Sequence, residues 1–280
     1  MNPVLKLGAF ALALALIFGA AAFAGAAVGP DRSGEKRVET HVTDHAAGAP
    51  APATVRGLAV SDAGLTLALE DTTFDRGRPG ELRFSIRGAG GTAVRDFEVE
   101  HEKRMHLIVV RRDGRGFQHL HPALDSEGTW SVPLTLPEPG TYRVFADFKH
   151  DGEARTLAAD LTVDGTARYR PLPAPPVTAD AGHGYAVRLN AGGVHAGREV
   201  GLDFSVTRDG RAVETEPYLG ARGHLVALRE GDLAFLHVHP DEDALAFRAE
   251  FPSGGRYRLY LQFKHEGRVH TAAFTQEVSR

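Results

Sequence analysis

The chain contains no cysteine among its 280 residues. This absence excludes disulfides, iron–sulfur clusters, thiolate zinc sites and the cysteine-ligated blue-copper centre. It does not decide the cellular compartment, because an exported protein need not carry disulfides. The chain also lacks a basic excess, since 32 Lys and Arg face 36 Asp and Glu and give a formal net charge of −4. We therefore expect no nucleic acid as a partner.

Beyond the N-terminal segment, no long stretch repeats apolar residues at helical spacing. Short runs rich in branched and aromatic residues alternate instead with Gly, Pro and Asp. In the first half these runs are LTLALE (65–70), ELRFSIR (81–87), HLIVVRR (106–112), TWSVPLTL (129–136), YRVFADF (142–148) and TLAADLTV (156–163). Strands at such regular spacing predict an all-β fold of immunoglobulin-like β-sandwiches.

The N-terminus carries an apolar run, residues 7–28, with the sequence LGAFALALALIFGAAAFAGAAV. A bilayer core requires about 20 apolar residues, so residues 1–28 are expected to form a transmembrane anchor. The alternative is a cleaved signal peptide, because Ala22, Phe23 and Ala24 fit a small-x-small cleavage site. Either reading places the remaining chain outside the cytoplasm, as a cell-membrane protein with one N-terminal anchor or as a secreted protein.

Two segments of biased composition divide the rest of the chain. Residues 29–56 include HAAGAPAPAT and predict a flexible tether. Residues 166–179 include RPLPAPPVT, whose prolines predict a semi-rigid linker. The two sandwich domains are therefore expected at residues 57–165 and 180–280, and each is expected to fold by itself.

The second half of the chain repeats the first. GHLVALREGDLAFLHVHP (223–240) aligns with MHLIVVRRDGRGFQHLHP (105–122) at an offset of 118 residues, without a gap. GGRYRLYLQFKHEG (254–267) aligns with PGTYRVFADFKHDG (139–152) at an offset of 115. A tandem duplication explains both matches. The Gly-x-Tyr in the second pair predicts a tyrosine corner in each domain.

Three histidines of the first half fall on one face of a predicted hairpin. The dipeptide DG in RRDGRG is a strong signal for a two-residue type I′ turn. A turn there sets His106 opposite His121 and Ile108 opposite His119. Because side chains alternate faces along a strand, His106, His119 and His121 should project from the same face.

The second half predicts the same face through a different turn. The dipeptide GD in REGDLA suits a type II′ turn, which has Gly at its first central position. That turn sets His224 opposite His239 and Val226 opposite His237. The three-histidine face therefore returns although the loop residues differ.

Such faces are suited to metal ligation. Directly opposed Cβ atoms lie about 4.5–5.5 Å apart, which suits two imidazoles that share an ion with bonds near 2 Å. We expect one three-histidine site per domain, formed by His106, His119 and His121 in the first and by His224, His237 and His239 in the second. Imidazole accepts several transition metals, and copper or zinc is the expected ion.

Three further histidines are weaker candidates for metal ligands, namely His101, His150 and His265. His150 and His265 recur in the motif FKH at the ends of matching strands. They either approach the rim of the site or cap a turn. His101 is a candidate in the first half only, because Leu219 takes its place in the second.

Other neighbours of the histidines are not expected to be ligands. Met105 points away from the histidine face and is expected in the core. Asp147 aligns with Gln262, so a carboxylate ligand shared by both halves is not expected. No acidic residue recurs beside the histidines to act as a base, and we therefore expect no enzyme.

These features predict an extracytoplasmic protein that binds a transition metal for buffering, delivery or sensing. The expected partners are the metal ion and, through the N-terminal segment, the membrane; the sequence does not identify a protein partner. The alternative is a structural or adhesion module whose histidines form only a hydrogen-bonded polar network.

The motifs HEKRMHLIVVRRDGRGFQHLHP, GTYRVFADF and YLGARGHLVALREGDLAFLHVHP resemble a family of mostly uncharacterised bacterial envelope proteins. Members carry this duplicated, histidine-rich immunoglobulin-like domain after an N-terminal hydrophobic segment. The resemblance covers most of the chain. It implies an extracytoplasmic location and a loose kinship with domains that handle heavy metals, especially copper, but it supplies no established activity.

Overall fold

The computed structural model describes residues 55–236 and 238–280. The expected anchor or signal peptide at residues 1–28 lies outside the described residues, as does the expected tether up to residue 54. Within the described part of the chain, no helix has the length and apolar character needed to span a membrane. The described residues form an all-β structure, as predicted, with one 3₁₀ turn at Ala89–Gly91.

Ten strands form the first sandwich. They are β1 (Ser61–Asp62), β2 (Leu65–Leu69), β3 (Thr73–Phe74), β4 (Gly80–Arg87), β5 (His106–Arg111), β6 (Gln118–Leu120), β7 (Ala123–Leu124), β8 (Trp130–Leu134), β9 (Gly140–His150) and β10 (Glu153–Val163). One sheet has the order β1-β2-β4-β8-β7 and the other β3-β10-β9-β5-β6. This division of the central strands is that of an immunoglobulin-like domain.

Ten strands form the second sandwich. They are β11 (Thr178–Gly182), β12 (Tyr185–Ala191), β13 (Glu199–Arg208), β14 (Arg211–Val213), β15 (His224–Arg229), β16 (Phe235–Leu236), β17 (Val238–Pro240), β18 (Ala246–Glu250), β19 (Gly255–His265) and β20 (Arg268–Val278). The sheets have the orders β11-β12-β13-β18-β17, with β14 beside β13, and β16-β15-β19-β20. The second sandwich thus repeats the topology of the first.

Each sandwich encloses its own apolar core, in which alternate residues of both sheets face inward. Trp130 stacks near Phe84 in the first core, and Phe251 packs on Tyr257 in the second. Met105 is buried in the first core, as its strand parity predicts.

Both expected tyrosine corners are present. The Tyr142 hydroxyl donates a hydrogen bond to the Glu138 carbonyl at 2.9 Å, and the Tyr257 hydroxyl donates one to the Ser253 carbonyl at 3.0 Å. Each bond reaches four residues back, from the start of β9 or β19 to the preceding turn. The corner therefore fixes where the long strand β9 or β19 begins.

A third apolar cluster lies between the two sandwiches. It is formed by the strand faces that point away from the two cores. The first sandwich contributes Ile108, Val110, Phe145 and Ala158, and the second contributes Val226, Leu228, Leu233, Phe235 and Tyr260. Burial of this kind, at about 25 cal/mol per Å² of apolar surface, makes the interface a substantial stabilising element.

The contacts across this interface repeat symmetrically. Phe117 stacks on Tyr260 with ring centroids 4.0 Å apart, and Phe145 contacts Phe235 at 5.5 Å. The repeat alignment makes Phe235 the counterpart of Phe117, and Tyr260 the counterpart of Phe145. The two halves thus pack through the same face, as the subunits of an isologous dimer do.

Residues 56 and 57, which lead into the first sandwich, form hydrogen bonds to both sandwiches. The Phe235 amide donates to the Arg56 carbonyl at 2.9 Å, and the Gly57 amide donates to the Thr156 carbonyl at 3.2 Å. Gly57 has a φ of +70°, and a Cβ there would lie 2.8 Å from atoms of Phe145 and Phe235. Glycine is therefore required at this crossing by both conformation and space.

The proline-rich linker is also docked. Arg256 Nη2 donates to the carbonyls of Leu172 and Pro173 at 2.8 and 2.7 Å. The Arg170 amide donates to Asp113 Oδ2 of the first sandwich at 3.0 Å. The linker therefore forms hydrogen bonds to both sandwiches.

Candidate metal centre

The first histidine face forms as predicted. Antiparallel pairing of β5 with β6 sets Ile108 opposite His119 and Leu107 opposite Leu120. Because Leu107 points into the first core and Ile108 into the interface cluster, the histidine face points towards the second sandwich. His106 is buried there, with 3% of its surface exposed.

The turn that sets this register differs from the expected one. Of the two residues in the DG dipeptide only Gly114 has a positive φ, +72°, whereas a type I′ turn needs two. The Gly114 amide bonds to the Arg111 carbonyl and the Arg111 amide to the Arg115 carbonyl, both at 2.8 Å. A tight turn followed by a bulge therefore replaces the two-residue turn and keeps the predicted pairing.

The three histidines converge on one point. His106 Nδ1 lies 3.0 Å from His119 Nε2. One nitrogen from each of His106, His119 and His121 can be chosen so that all three lie within 4.8 Å of one another. His121 Nε2 is buried and has no hydrogen-bond partner among the described residues.

The outer nitrogens of two of these rings face oxygen acceptors. His106 Nε2 lies 3.0 Å from the Glu100 carbonyl, and His119 Nδ1 lies 2.7 Å from Gln262 Oε1. A carbonyl oxygen can only accept, so each of these outer nitrogens carries the proton of its ring. In neutral rings the inner nitrogens, His106 Nδ1 and His119 Nε2, then present lone pairs to each other.

At neutral pH no extra proton lies between the two inner nitrogens, because both rings are uncharged. Burial lowers the pKa of His106 to about 4, that of His119 to about 3 and that of His121 to about 4. Burial, together with the neighbouring histidines, also holds the pKa of His224 well below its ordinary value. All four imidazoles are therefore neutral near pH 7, which is the form that binds metals.

The second sandwich brings His224 to this cluster. The centroid of its ring lies 4.6 Å from the ring centroid of His119 and 5.4 Å from that of His106. The ring planes of His224 and His106 are nearly parallel, with an angle of 8° between them. His101 lies 6.1 Å from His106 and 6.0 Å from His224. His224 therefore presents the face of its ring to the triad, and the cluster of five histidines draws on both halves.

The expected pairing of His224 with His239 is wrong. Leu236 still pairs with Ala227 of β15, in the predicted register. The chain then crosses to the other sheet, where His239 pairs with Arg248 of β18. Here β16 ends at residue 236 and β17 begins at 238, whereas in the first half β6 ends at 120 and β7 begins at 123. The earlier crossing removes His239 from the face it was expected to share; His237 lies outside the described residues.

The two strand-end histidines take other partners. His150 Nδ1 bonds to the Asp96 carbonyl at 2.8 Å, at the end of β9. His265 Nδ1 bonds to the Tyr185 hydroxyl at 2.7 Å, at the end of β19. Each bond ties a strand end to a residue more than 50 positions away, so neither contact shows the expected role as a turn cap.

Two contributors to the site were not identified from the sequence, namely Gln262 and the Glu100 carbonyl. The alignment with Asp147 could have indicated that position 262 faces the histidines, because Asp147 pairs with His106 on the adjacent strand. No local pattern could show that Gln262 bonds to His119, which lies 143 residues away in sequence. Asp147 itself accepts from the Thr156 hydroxyl at 2.6 Å, and burial raises its pKa to about 6.

The fold and the cluster define a tandem immunoglobulin-like protein with a histidine centre between its domains. The chain belongs to the family described as a domain of unknown function, DUF8832, which matches residues 59–165 and again residues 178–280. A comparison with curated proteins finds no significant match. The family resemblance is thus shown for a duplicated domain, while the kinship with copper-handling domains stays an expectation.

Solved structures show distant likeness. The chain is similar to a Salmonella alpha-2-macroglobulin (14% identity, TM-score 0.29, 80% of this chain and 15% of that one). It is also similar to the Lin-41 filamin domain (12%, 0.26, 40% and 98%) and to the Escherichia coli adhesin FdeC (13%, 0.28, 79% and 66%). The chain spans under a fifth of the macroglobulin's length, and likeness at these TM-scores carries no conclusion about function.

Proposed function

We propose that the protein binds one zinc or copper ion between its two sandwiches, through His106, His119 and His121. The observation that carries the proposal is the pair of inner nitrogens, His106 Nδ1 and His119 Nε2, which face each other at 3.0 Å while both outer nitrogens face oxygen acceptors. A cation between the inner nitrogens removes the lone-pair conflict. One shared centre thus replaces the two separate sites expected from the duplication.

The surroundings fit a transition metal. Zinc–imidazole bonds are about 2.0–2.1 Å long, so two such ligands in a tetrahedral shell lie about 3.3 Å apart. The separation of 3.0 Å needs only a small adjustment to reach this value. Metal-bound histidines usually donate their other N–H to a carbonyl or carboxylate, which is the role of Glu100 and Gln262 here.

The proposed role is binding without catalysis, for buffering, delivery or sensing of the ion outside the cytoplasm. The location rests on the apolar run at residues 7–28, which predicts export. Fractionation of cells that make the native protein tests it: residues after 30 should be accessible to added protease from outside. A mainly cytoplasmic, soluble protein would contradict this part of the proposal.

The second candidate function is a non-catalytic structural module, and one arrangement of the site favours it. If the Gln262 amide is turned so that its NH₂ group meets His119 Nδ1, then His119 Nε2–H donates to His106 Nδ1, and His106 Nε2–H donates to the Glu100 carbonyl. Every bond in that chain is satisfied without an ion. Such a polar network would hold the two sandwiches in register.

Metal titration of the full-length protein distinguishes the two functions. Calorimetry with Zn²⁺ and Cu²⁺ at pH 7 should give one equivalent that is lost when both His119 and His121 are changed to Ala. The matched control changes two histidines outside the triad, His239→Ala with His265→Ala, and should retain that equivalent. His41 and His45, in the expected tether, are present in every variant and contribute the same background.

Folding of the double variant is checked by its circular dichroism and denaturant midpoint. A second measurement does not depend on that variant: Zn²⁺ at 100 times its Kd should stabilise the native protein by about 2.7 kcal/mol. If the native protein binds no more tightly than the double variant and gains no stability from either ion, the structural module is the better conclusion.

A further inference from the structure

We infer that Gln262 of the second sandwich is the positioning residue that sets the metal affinity of the histidines carried by the first. This inference rests on the proposed function. Gln262 lies on β19, directly opposite His224 of β15, and 8% of its surface is exposed. Its Oε1 is 2.7 Å from His119 Nδ1, across the domain interface.

The other end of the amide meets Thr271. Gln262 Nε2 donates to the Thr271 hydroxyl oxygen at 3.3 Å when Oε1 faces His119, which is the orientation that the proposed ion requires. Acceptance by Oε1 places the ring proton of His119 on Nδ1. The lone pair is thereby placed on Nε2, which is the nitrogen that faces His106 and the proposed ion.

The corresponding position in the first half is used differently. Asp147 occupies this position, opposite His106. Thr156 of the first half aligns with Thr271 of the second. Asp147 Oδ1 accepts from the Thr156 hydroxyl within its own sheet. The shorter, charged side chain in the first half thus bonds within its sandwich, whereas the longer amide in the second half reaches across the interface.

The duplication therefore separates two roles. The first half carries the ligands, and the second half carries the acceptor that fixes one of them. Removal of a hydrogen-bond partner behind a metal ligand typically lowers metal affinity about 10–100-fold. The packing of the two sandwiches, which places Gln262, consequently becomes part of the affinity of the site.

The test compares Gln262→Leu and Gln262→Glu in the full-length protein. Zn²⁺ affinity is measured at pH 7 by competition with a chromophoric chelator, and Co²⁺ absorption spectra report the ligand geometry. The Leu variant should bind about 10–100-fold more weakly with the same stoichiometry. The Glu variant, which is nearly isosteric and accepts more strongly, should restore or exceed native affinity.

Gln276→Leu is the matched control, since the side chain of this partly buried glutamine of β20 donates to the neighbouring Glu277 carbonyl and lies on a different strand from Gln262. Its affinity should equal that of the native protein. Native-like affinity in Gln262→Leu, or no recovery in Gln262→Glu relative to Leu, overturns the inference while the proposed function stands. Failure of the native protein itself to bind Zn²⁺, Co²⁺ or Cu²⁺ overturns both.

Discussion

The two halves of the chain carry the same His-x-His-Pro motif, yet the second histidine of the motif takes a different place in each half. His121 follows β6 and stays beside His106, with ring centroids 5.1 Å apart. Its counterpart His239 lies on β17, in the opposite sheet of the second sandwich. The difference arises from the point at which the chain crosses between sheets, and not from the motif itself.

The second half is nevertheless part of the same centre. It contributes the ring of His224 and the amide of Gln262 to histidines of the first half. The comparison shows that residues of both copies meet in one cluster because the two copies pack through the same face. Each prediction below tests how far the two halves depend on each other.

The largest effect is expected from the shared apolar cluster. Phe145→Ala and Tyr260→Ala remove equivalent buried rings and should each cost about 3–5 kcal/mol. Because the cluster belongs to both sandwiches, the full chain should still unfold in a single step in calorimetry. Val99→Ala, at a side chain with 64% exposure, should change stability by under about 0.5 kcal/mol.

A split into two transitions in either ring variant would show that the halves are energetically separate. The independent folding of residues 57–165 and 180–280 stays a prediction. The apolar cluster between the sandwiches is expected to affect how each isolated half behaves. Each isolated half exposes the face that contains Ile108 or Val226, and should therefore self-associate or lose stability.

The next largest effect separates the two copies of the motif. His121→Ala should weaken Zn²⁺ binding by at least about 100-fold, which corresponds to about 2.7 kcal/mol. His239→Ala, at the equivalent position, should leave the affinity within about two-fold. Equilibrium dialysis of both full-length variants measures the difference. Equal losses would mean that the second copy also ligates the ion.

The acid sensitivity of the fold should come mainly from the buried histidine cluster, in which burial also lowers the pKa of His224 from the second half. The pKa values of His106, His119 and His121 are lowered to about 4, 3 and 4, against 6.5 for an exposed histidine. The unfolded chain therefore binds more protons between pH 6.5 and 4, and the free energy of unfolding falls as pH decreases through this window. Asp147, with a pKa raised to about 6, acts in the opposite direction between pH 6 and 3.8.

Three histidines outweigh one carboxyl, so the slope should exceed about 1.4 kcal/mol per pH unit, the value for a single group. Urea unfolding in chelator-containing buffer from pH 4 to 7 measures it. A variant with Gln at all three positions should show a flatter dependence. An unchanged slope in that variant would place the acid sensitivity elsewhere in the chain.

The smallest expected effect compares the two tyrosine corners. Tyr142→Phe and Tyr257→Phe each leave a backbone carbonyl without its donor and should cost about 1 kcal/mol. Tyr257 also contacts the Ser253 hydroxyl at 3.1 Å, so its loss should be slightly the larger. Denaturant midpoints of the two variants test this, and a neutral result for both would mean that the corner is only a consequence of the turn.

Much of the fold could be predicted from local pattern. Alternation of apolar residues, turn residues between runs and the internal repeat indicate two immunoglobulin-like sandwiches, and the family match covers the same two stretches. The pairing of Ile108 with His119 and of Ala227 with Leu236 also agrees with the predicted registers. The first turn was predicted less well, because a bulge can keep a register while changing the loop.

The sequence by itself determined the two sandwiches and the row of histidines on the outer face of β5 and β6, because strand alternation and short turns are local properties. The tertiary structure alone decided that this face meets its own copy, that His239 leaves for the other sheet, and that Gln262 reaches His119. The first and the last of these outcomes depend on packing between residues more than a hundred positions apart, and such packing is selected by the fit of whole surfaces rather than by any short run of residues.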